Sequence, residues 1–206
     1  MYEIIKVSKN NPDQSILDKT SSILNSGQVV VLPTDTVYGL CIQAKTKNAL
    51  EKISIIKGRS PDKGVPLIIG DIQQLFDFTN QISLKKIEFL KKIWPSPITF
   101  IFEAKDSYEF SKNGIAIRLP EQELCKKVAN QAGPFLATSS NRTGEPILDN
   151  IEEIVLQLQN VRLFLDGGRI KQNVASTIVS LKKDVPELIR DGKIPFKNIM
   201  HTWGKI

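Results

Sequence analysis

Residues 29–40 read VVVLPTDTVYGL. The apolar half, Val29, Val30, Val31 and Leu32, predicts a short buried strand. Pro33 ends that run, because it has no N–H to donate to a sheet ladder. Three oxygen-bearing side chains follow, Thr34, Asp35 and Thr36, and then Val37, Tyr38 and Gly39. Two readings of this stretch stand side by side. A strand end can present hydroxyls and a carboxylate at the edge of a cleft. Alternatively, the Thr and Asp side chains form a plain turn that caps the next element.

The rest of the chain narrows the chemistry around that stretch. Its 206 residues suffice for one full core, so a single domain over 1–206 is expected. Apolar runs reach only a few residues, which predicts no membrane span, and residues 1–11, MYEIIKVSKNN, lack the pattern of a signal peptide. The two cysteines, Cys41 and Cys125, sit in apolar patterns and read as reduced thiols, which suits a cytoplasmic location. The single histidine, His201, is the sixth residue from the end, so neither a zinc site nor a catalytic histidine is expected. A net charge of +6 favours anionic partners such as nucleotides or RNA. The lysine pairs 85–86, 91–92, 126–127 and 182–183 read as solvated surface.

In chain order, 2–7 predicts an edge strand, and Asn11–Pro12 starts a helix that Gly27 stops. Thr46 is expected to cap a second helix ending near Gly58. The stretch 57–64, KGRSPDKG, is a loop with three cations. Strands are predicted at 65–69, 98–102, 115–119, 135–138, 163–165, 177–181 and 187–190. Helices are predicted at 71–78, 83–94 and around 124–132, and Asn150 with Glu153 caps another. Strand follows strand near 95–119 and 163–190, which indicates a mixed sheet in an α/β (α+β) fold.

Several strand ends carry a hydroxyl, amide or cation: 33–36, 57–63, Arg118, 139–141, 176–177 and Arg190. Lys57, Arg59, Arg118 and Arg190 together suit a polyphosphate, since guanidinium forks bind phosphate oxygens in pairs and lysine adds a point charge. Neither GxxxxGK[ST] nor GxGxxG occurs, so no P-loop or Rossmann cradle is available. One C-terminal histidine cannot build a Ser–His or Cys–His nucleophile pair. Lys57 is equally explained as a cation at a helix C-terminus, and 139–141 as a plain turn. From pattern alone the result is an α/β domain that binds an anionic ligand.

Eight stretches, in order, resemble the YrdC/Sua5 family of threonylcarbamoyl-AMP synthases. They are VVVLPTDTVYGL, KGRSPDKG, WPSPITFIF, GIAIRLP, ATSSNRTGEP, FLDGG, ASTIV and ELIRDGK, from residue 29 to about 193. The resemblance, to the short single-domain members, implies a YrdC/RibB-like fold: a twisted mixed sheet flanked by helices around a wide basic cavity. It implies that L-threonine, bicarbonate (or CO2) and ATP yield L-threonylcarbamoyl-AMP, pyrophosphate and water. A downstream threonylcarbamoyl-transferase complex would then modify adenosine 37 of tRNAs reading codons that start with A. Matched by motif, Lys57, Arg59, Ser139 and Asn141 would be catalytic; these four with Lys63 and Arg190 would bind ATP; Thr36, Arg118 and Ser176 would hold L-threonine. Mg2+ would arrive with ATP and take no direct protein ligand. The chain departs from many members at Gly70, where a histidine is common, and at Gln122–Glu123, where His-Pro is common. Two other readings of the same residues are an RNA-binding module with a vestigial ATP site, and a carbamoyl-handling domain like that of hydrogenase-maturation proteins.

Overall fold

The computed structural model describes residues 2–106, 108–170 and 174–206. The polar turn at 34–37 joins two strands, so the element after it, β3, is one that the sequence did not reveal. β2 (Val30–Pro33) runs into β3 (Tyr38–Gln43), and the two pair antiparallel with Val31 opposite Leu40 and Pro33 opposite Tyr38. β3 escapes a reading by alternation because all six of its residues are buried, so both of its faces are covered. Pro33 is thus the last residue of β2, placed where the turn takes over from the ladder.

The remaining elements are β1 (Glu3–Lys6), α1 (Gln14–Asn25), α2 (Ala49–Lys57), β4 (Leu67–Ile68), a 3-10 helix (Ile72–Asp77), α3 (Leu84–Ile93), β5 (Ile98–Phe102), β6 (Ile115–Arg118), α4 (Glu123–Ala132), β7 (Phe135–Ser139), α5 (Ile151–Gln157), β8 (Leu163–Asp166), β9 (Thr177–Ser180), β10 (Glu187–Arg190) and α6 (Phe196–Trp203). Among the described residues ten strands form one sheet in the order β1-β8-β2-β3-β7-β4-β6-β5-β9-β10. It is mixed: β8 is parallel to β1 and β2, and β5 to β9, whereas β3, β7 and β4 run antiparallel in turn. β1 is an edge strand, as its weak alternation suggests.

Local corrections follow from competing hydrogen bonds. α1 starts after Asp13, not at Asn11, whose N–H donates to Ser8 Oγ at 3.1 Å. α2 starts after Asn48, because the Thr46 N–H is turned back onto the Gln43 carbonyl. The 65–69 strand shrinks to Leu67–Ile68, and the 71–78 helix is a 3-10 helix whose Asp71 carboxylate accepts from Gln73 N at 2.8 Å. The Asn150 cap forms as expected, its Oδ1 accepting from Glu153 N at 3.0 Å. α6 was not predicted, although Phe196, Ile199, Met200 and Trp203 show its apolar stripe at helical spacing.

Strand alternation divides the core between the two faces of the sheet. Tyr38, Leu40, Ile42, Leu67, Ile98, Phe100, Ile115, Ile117 and Val179 point to one face and pack beneath α2, α3, α5 and α6. Phe89 and Phe100 meet edge-on there, with ring centroids 5.6 Å apart. Val30, Leu32, Cys41, Ile68 and Phe135 point to the other face and pack under α1 and α4. Those two helices cover only part of this second face. Over β6, β5 and β9 the residues of that parity, Arg118, Thr99 and Ile178, line a cavity instead.

Candidate active site

The cavity on the uncovered face holds about 290 Å³. Its floor is apolar, with Ile68, Ala137 and Ile178 from three strands. Its polar rim carries Thr36, Arg59, Arg118, Ser139, Ser176 and Arg190, six of the nine site residues expected from sequence. A second hollow, of about 660 Å³, follows the same sheet face, since Ala116 and Ile101 line it two residues along from Arg118 and Thr99. Gly64, from the loop after α2, borders both spaces.

The β2–β3 turn is rigid for a local reason. Thr34 Oγ1 donates to the Val37 carbonyl at 2.7 Å and accepts from the N–H groups of Thr36 and Val37 at 3.1 and 3.2 Å. A 3.0 Å contact also joins Thr34 Oγ1 to Thr36 Oγ1, and either hydroxyl can be its donor. Tyr38 anchors the turn to the FLDGG stretch: its hydroxyl donates to Gly168 O at 2.8 Å and accepts from Gly167 N at 3.0 Å. Burial pushes the Tyr38 phenol up to about 12.

Arg118 ends β6 with its side chain buried. Nη1 donates to Thr36 Oγ1 at 2.9 Å and Nη2 pairs with the Asp35 carboxylate. Both partners of this ion pair are 7% exposed. The Nε of Arg118 is buried with no partner, a donor left unsatisfied in a cavity wall. Asp35, which the sequence left between a cleft-edge carboxylate and a plain turn residue, balances the charge of Arg118. On the opposite wall Ser176 and Thr99 share a 2.9 Å hydroxyl contact, and Arg190 Nη2 donates to the Ser176 carbonyl at 2.7 Å.

Three expected residues stand off the lining. Lys57, the last residue of α2, lies behind the wall and is 4% exposed. Its ammonium donates to Ser139 O at 2.5 Å and Asn141 O at 2.7 Å, with Ser139 Oγ and Asn141 Oδ1 each at 3.4 Å. It thus fastens α2 to the turn after β7 rather than only facing its own helix carbonyls. Burial, aided by the charge of Arg59, brings its amine down to about 8. Asn141 is buried in that same turn, where Nδ2 donates to Glu145 O at 2.7 Å. Lys63 is exposed, and its carbonyl is 3.5 Å from Arg59 Nη2. Burial lowers Arg59 and Arg190 from the usual arginine range.

The two departures from the family pattern have local explanations. Gly70 lies against α4, where a Cβ would stand 2.2 Å from Asn130 Oδ1 and 2.4 Å from Lys126 O. No side chain fits there, and Gly70 is not part of the cavity lining. Gln122 precedes α4, and its Nε2 donates to Lys9 O at 2.7 Å, tying the helix start to the chain after β1. Lys193 was not singled out from sequence; its Nζ donates to the Asp35 carbonyl at 3.0 Å. Only its place in the ELIRDGK stretch offered a signal.

Among the described residues no group of three or more His, Cys, Asp or Glu could hold a metal ion, and no helix is long and apolar enough to cross a membrane. Cys41 and Cys125 are free, buried thiols.

A protein-family profile described as telomere recombination, for Sua5, YciO and YrdC, matches residues 22–192. Over 208 residues the chain is 32% identical to the threonylcarbamoyl-AMP synthase of Bacillus subtilis (strain 168), an overlap of 98% of this chain and 59% of that protein. The structure is similar to that of P. abyssi Sua5 complexed with L-threonine, at 26% identity and a TM-score of 0.90, covering 98% of this chain and 61% of the other. It is also similar to E. coli YciO, at 25% identity and a TM-score of 0.86, covering 97% of this chain and all of the other. The chain spans 59% and 56% of the length of the first two curated relatives it matches, those of B. subtilis and Pyrococcus abyssi.

Proposed function

Because this chain belongs to the Sua5/YciO/YrdC family, we propose that it is a threonylcarbamoyl-AMP synthase, a nucleotidyltransferase acting on L-threonine, bicarbonate (or CO2) and ATP. The observation that carries this reading is one cavity with two kinds of polar wall. Arg118, Thr36 and Ser176 suit an amino acid, and Arg59, Ser139 and Arg190 suit phosphates. Arg118, which lines the cavity, supplies a guanidinium cation for the carboxylate of threonine. The Thr36 hydroxyl accepts from Arg118 Nη1 and lines the cavity beside it.

The chemistry asks for positioning and charge neutralisation. The amine of threonine adds to CO2 and loses a proton, giving a carbamate. A carbamate oxygen then bonds to the α-phosphorus of ATP as the bond to pyrophosphate breaks. No protein nucleophile enters, which suits a cavity without histidine or thiol on its lining. Arg59 and Arg190 take up the charge of the leaving pyrophosphate. Lys57 acts from behind the wall: by holding the carbonyls of Ser139 and Asn141 it fixes the turn that presents the Ser139 hydroxyl. The neighbouring hollow of about 660 Å³ has room for the nucleoside of ATP.

Asp35, the carboxylate beside the cavity, is spent on Arg118. Mg2+ would therefore enter on the phosphate oxygens of ATP, where it would add neutralising charge. The adenylate product would pass to a threonylcarbamoyl-transferase complex acting on adenosine 37 of tRNA. Pyrophosphate release from ATP by the pure protein, with and without L-threonine and bicarbonate, tests the reading. Release that requires both is expected; release indifferent to threonine refutes it.

A further inference from the structure

After β10 the chain folds back over the backbone that carries Ser176. A Cβ at Gly192 would stand 2.4–2.5 Å from backbone atoms of Ala175, Ser176 and Thr177, so the two segments touch where only glycine fits. Arg190 Nη2 donates to Ser176 O at 2.7 Å and Lys193 N to Ala175 O at 3.0 Å. Ile194 N donates to Thr177 Oγ1 at 3.1 Å, and that hydroxyl donates to Ile194 O at 2.6 Å. These bonds make residues 190–194 a strap laid on the β9 side of the cavity.

From this strap the Lys193 side chain crosses to the β2–β3 turn, where Nζ donates to Asp35 O at 3.0 Å. Asp35 holds the guanidinium of Arg118 through its carboxylate and accepts from Glu121 N at 3.3 Å. One ammonium thus joins the wall bearing Ser176 and Arg190 to the wall bearing Thr36 and Arg118. Each wall is closed by its own bonds: the turn through Thr34, the strap through Thr177 and Ser176. Neither depends on Lys193 to form. What the lysine adds is the spacing between them.

We infer that Lys193 is a positioning residue, a latch between the 190–194 strap and the Asp35 turn that sets the width of the amino-acid half of the cavity. This rests on the synthase reading above. The test compares Lys193→Met with Lys193→Arg in KM for L-threonine, KM for ATP, and threonine-induced protection of the 192–194 amides from hydrogen exchange. Loss of a charge-assisted hydrogen bond predicts a KM for L-threonine raised about tenfold in Lys193→Met, with the KM for ATP moved less than about threefold. The amide protection is lost, and Lys193→Arg, which keeps a donor of similar reach, restores both. Wild-type KM and protection in Lys193→Met overturn the latch, as do equal losses for both substrates or no rescue by arginine. If the wild type shows no threonine-dependent pyrophosphate release, the synthase reading fails by itself. The latch is then decided without ligand: faster exchange at Ile194 in Lys193→Met upholds it, and unchanged exchange overturns it.

Discussion

Asp35→Asn exchanges one oxygen for an NH2 group and removes one charge from a site where both partners are 7% exposed. The asparagine oxygen can still accept from Arg118 Nη2, but its NH2 then meets the N–H of Glu121, which Asp35 Oδ2 now accepts at 3.3 Å. The substitution therefore loses a hydrogen bond and leaves Arg118 uncompensated. Breaking a buried ion pair by removing one partner costs about 3–5 kcal/mol. The cavity beside Arg118 admits water, which places the expected loss near the lower end, about 3 kcal/mol, or two decades in the folding equilibrium. Urea unfolding of the wild type, Asp35→Asn, Arg118→Met and the double variant gives the coupling energy directly. A coupling of about 2 kcal/mol or more is expected for a pair so buried; below about 0.5 kcal/mol the pair is a surface contact and the argument fails.

Lys57 supplies a pH signature. Its folded amine titrates near 8 against 10.5 for the free side chain, so between pH 8 and 10.5 the unfolded chain binds more protons and stability rises with pH. The buried thiols of Cys41 and Cys125, raised by burial, pull the other way in this range, so the test is the difference. The slope of the urea midpoint from pH 8 to 10 should be more positive in the wild type than in Lys57→Met, and equal slopes refute the burial of the ammonium. Arg59→Met and Arg190→Met should each lower kcat/KM for pyrophosphate release about a hundredfold, the effect of losing about 3 kcal/mol of transition-state stabilisation. Gly192→Ala should destabilise by about 1–3 kcal/mol, since its Cβ meets backbone that cannot rotate away, and calorimetry would show a lowered Tm.

What sequence could reveal here depended on whether a residue's role was local. The apolar start of β2, the Asn150 cap and the helix around 124–132 all rest on neighbours within four positions, and all stand in the structure. β3 did not show itself, because a strand buried on both faces carries no alternation and Gly39 breaks its apolar run. The cavity follows a different logic. Within β5 and β6, period two already assigns Thr99 with Ile101, and Ala116 with Arg118, to the face opposite Phe100 and Ile117. No local pattern says that α1 and α4 stop short of that face, and this shortfall is what turns a sheet surface into a site. The same distinction explains Lys57, whose neighbours in sequence mark a helix end while its ammonium serves residues 82 and 84 positions away. It also explains the turn at 34–37. Both readings of it hold at once, because the turn that Thr34 closes on itself is the one that aims Asp35 and Thr36 at Arg118.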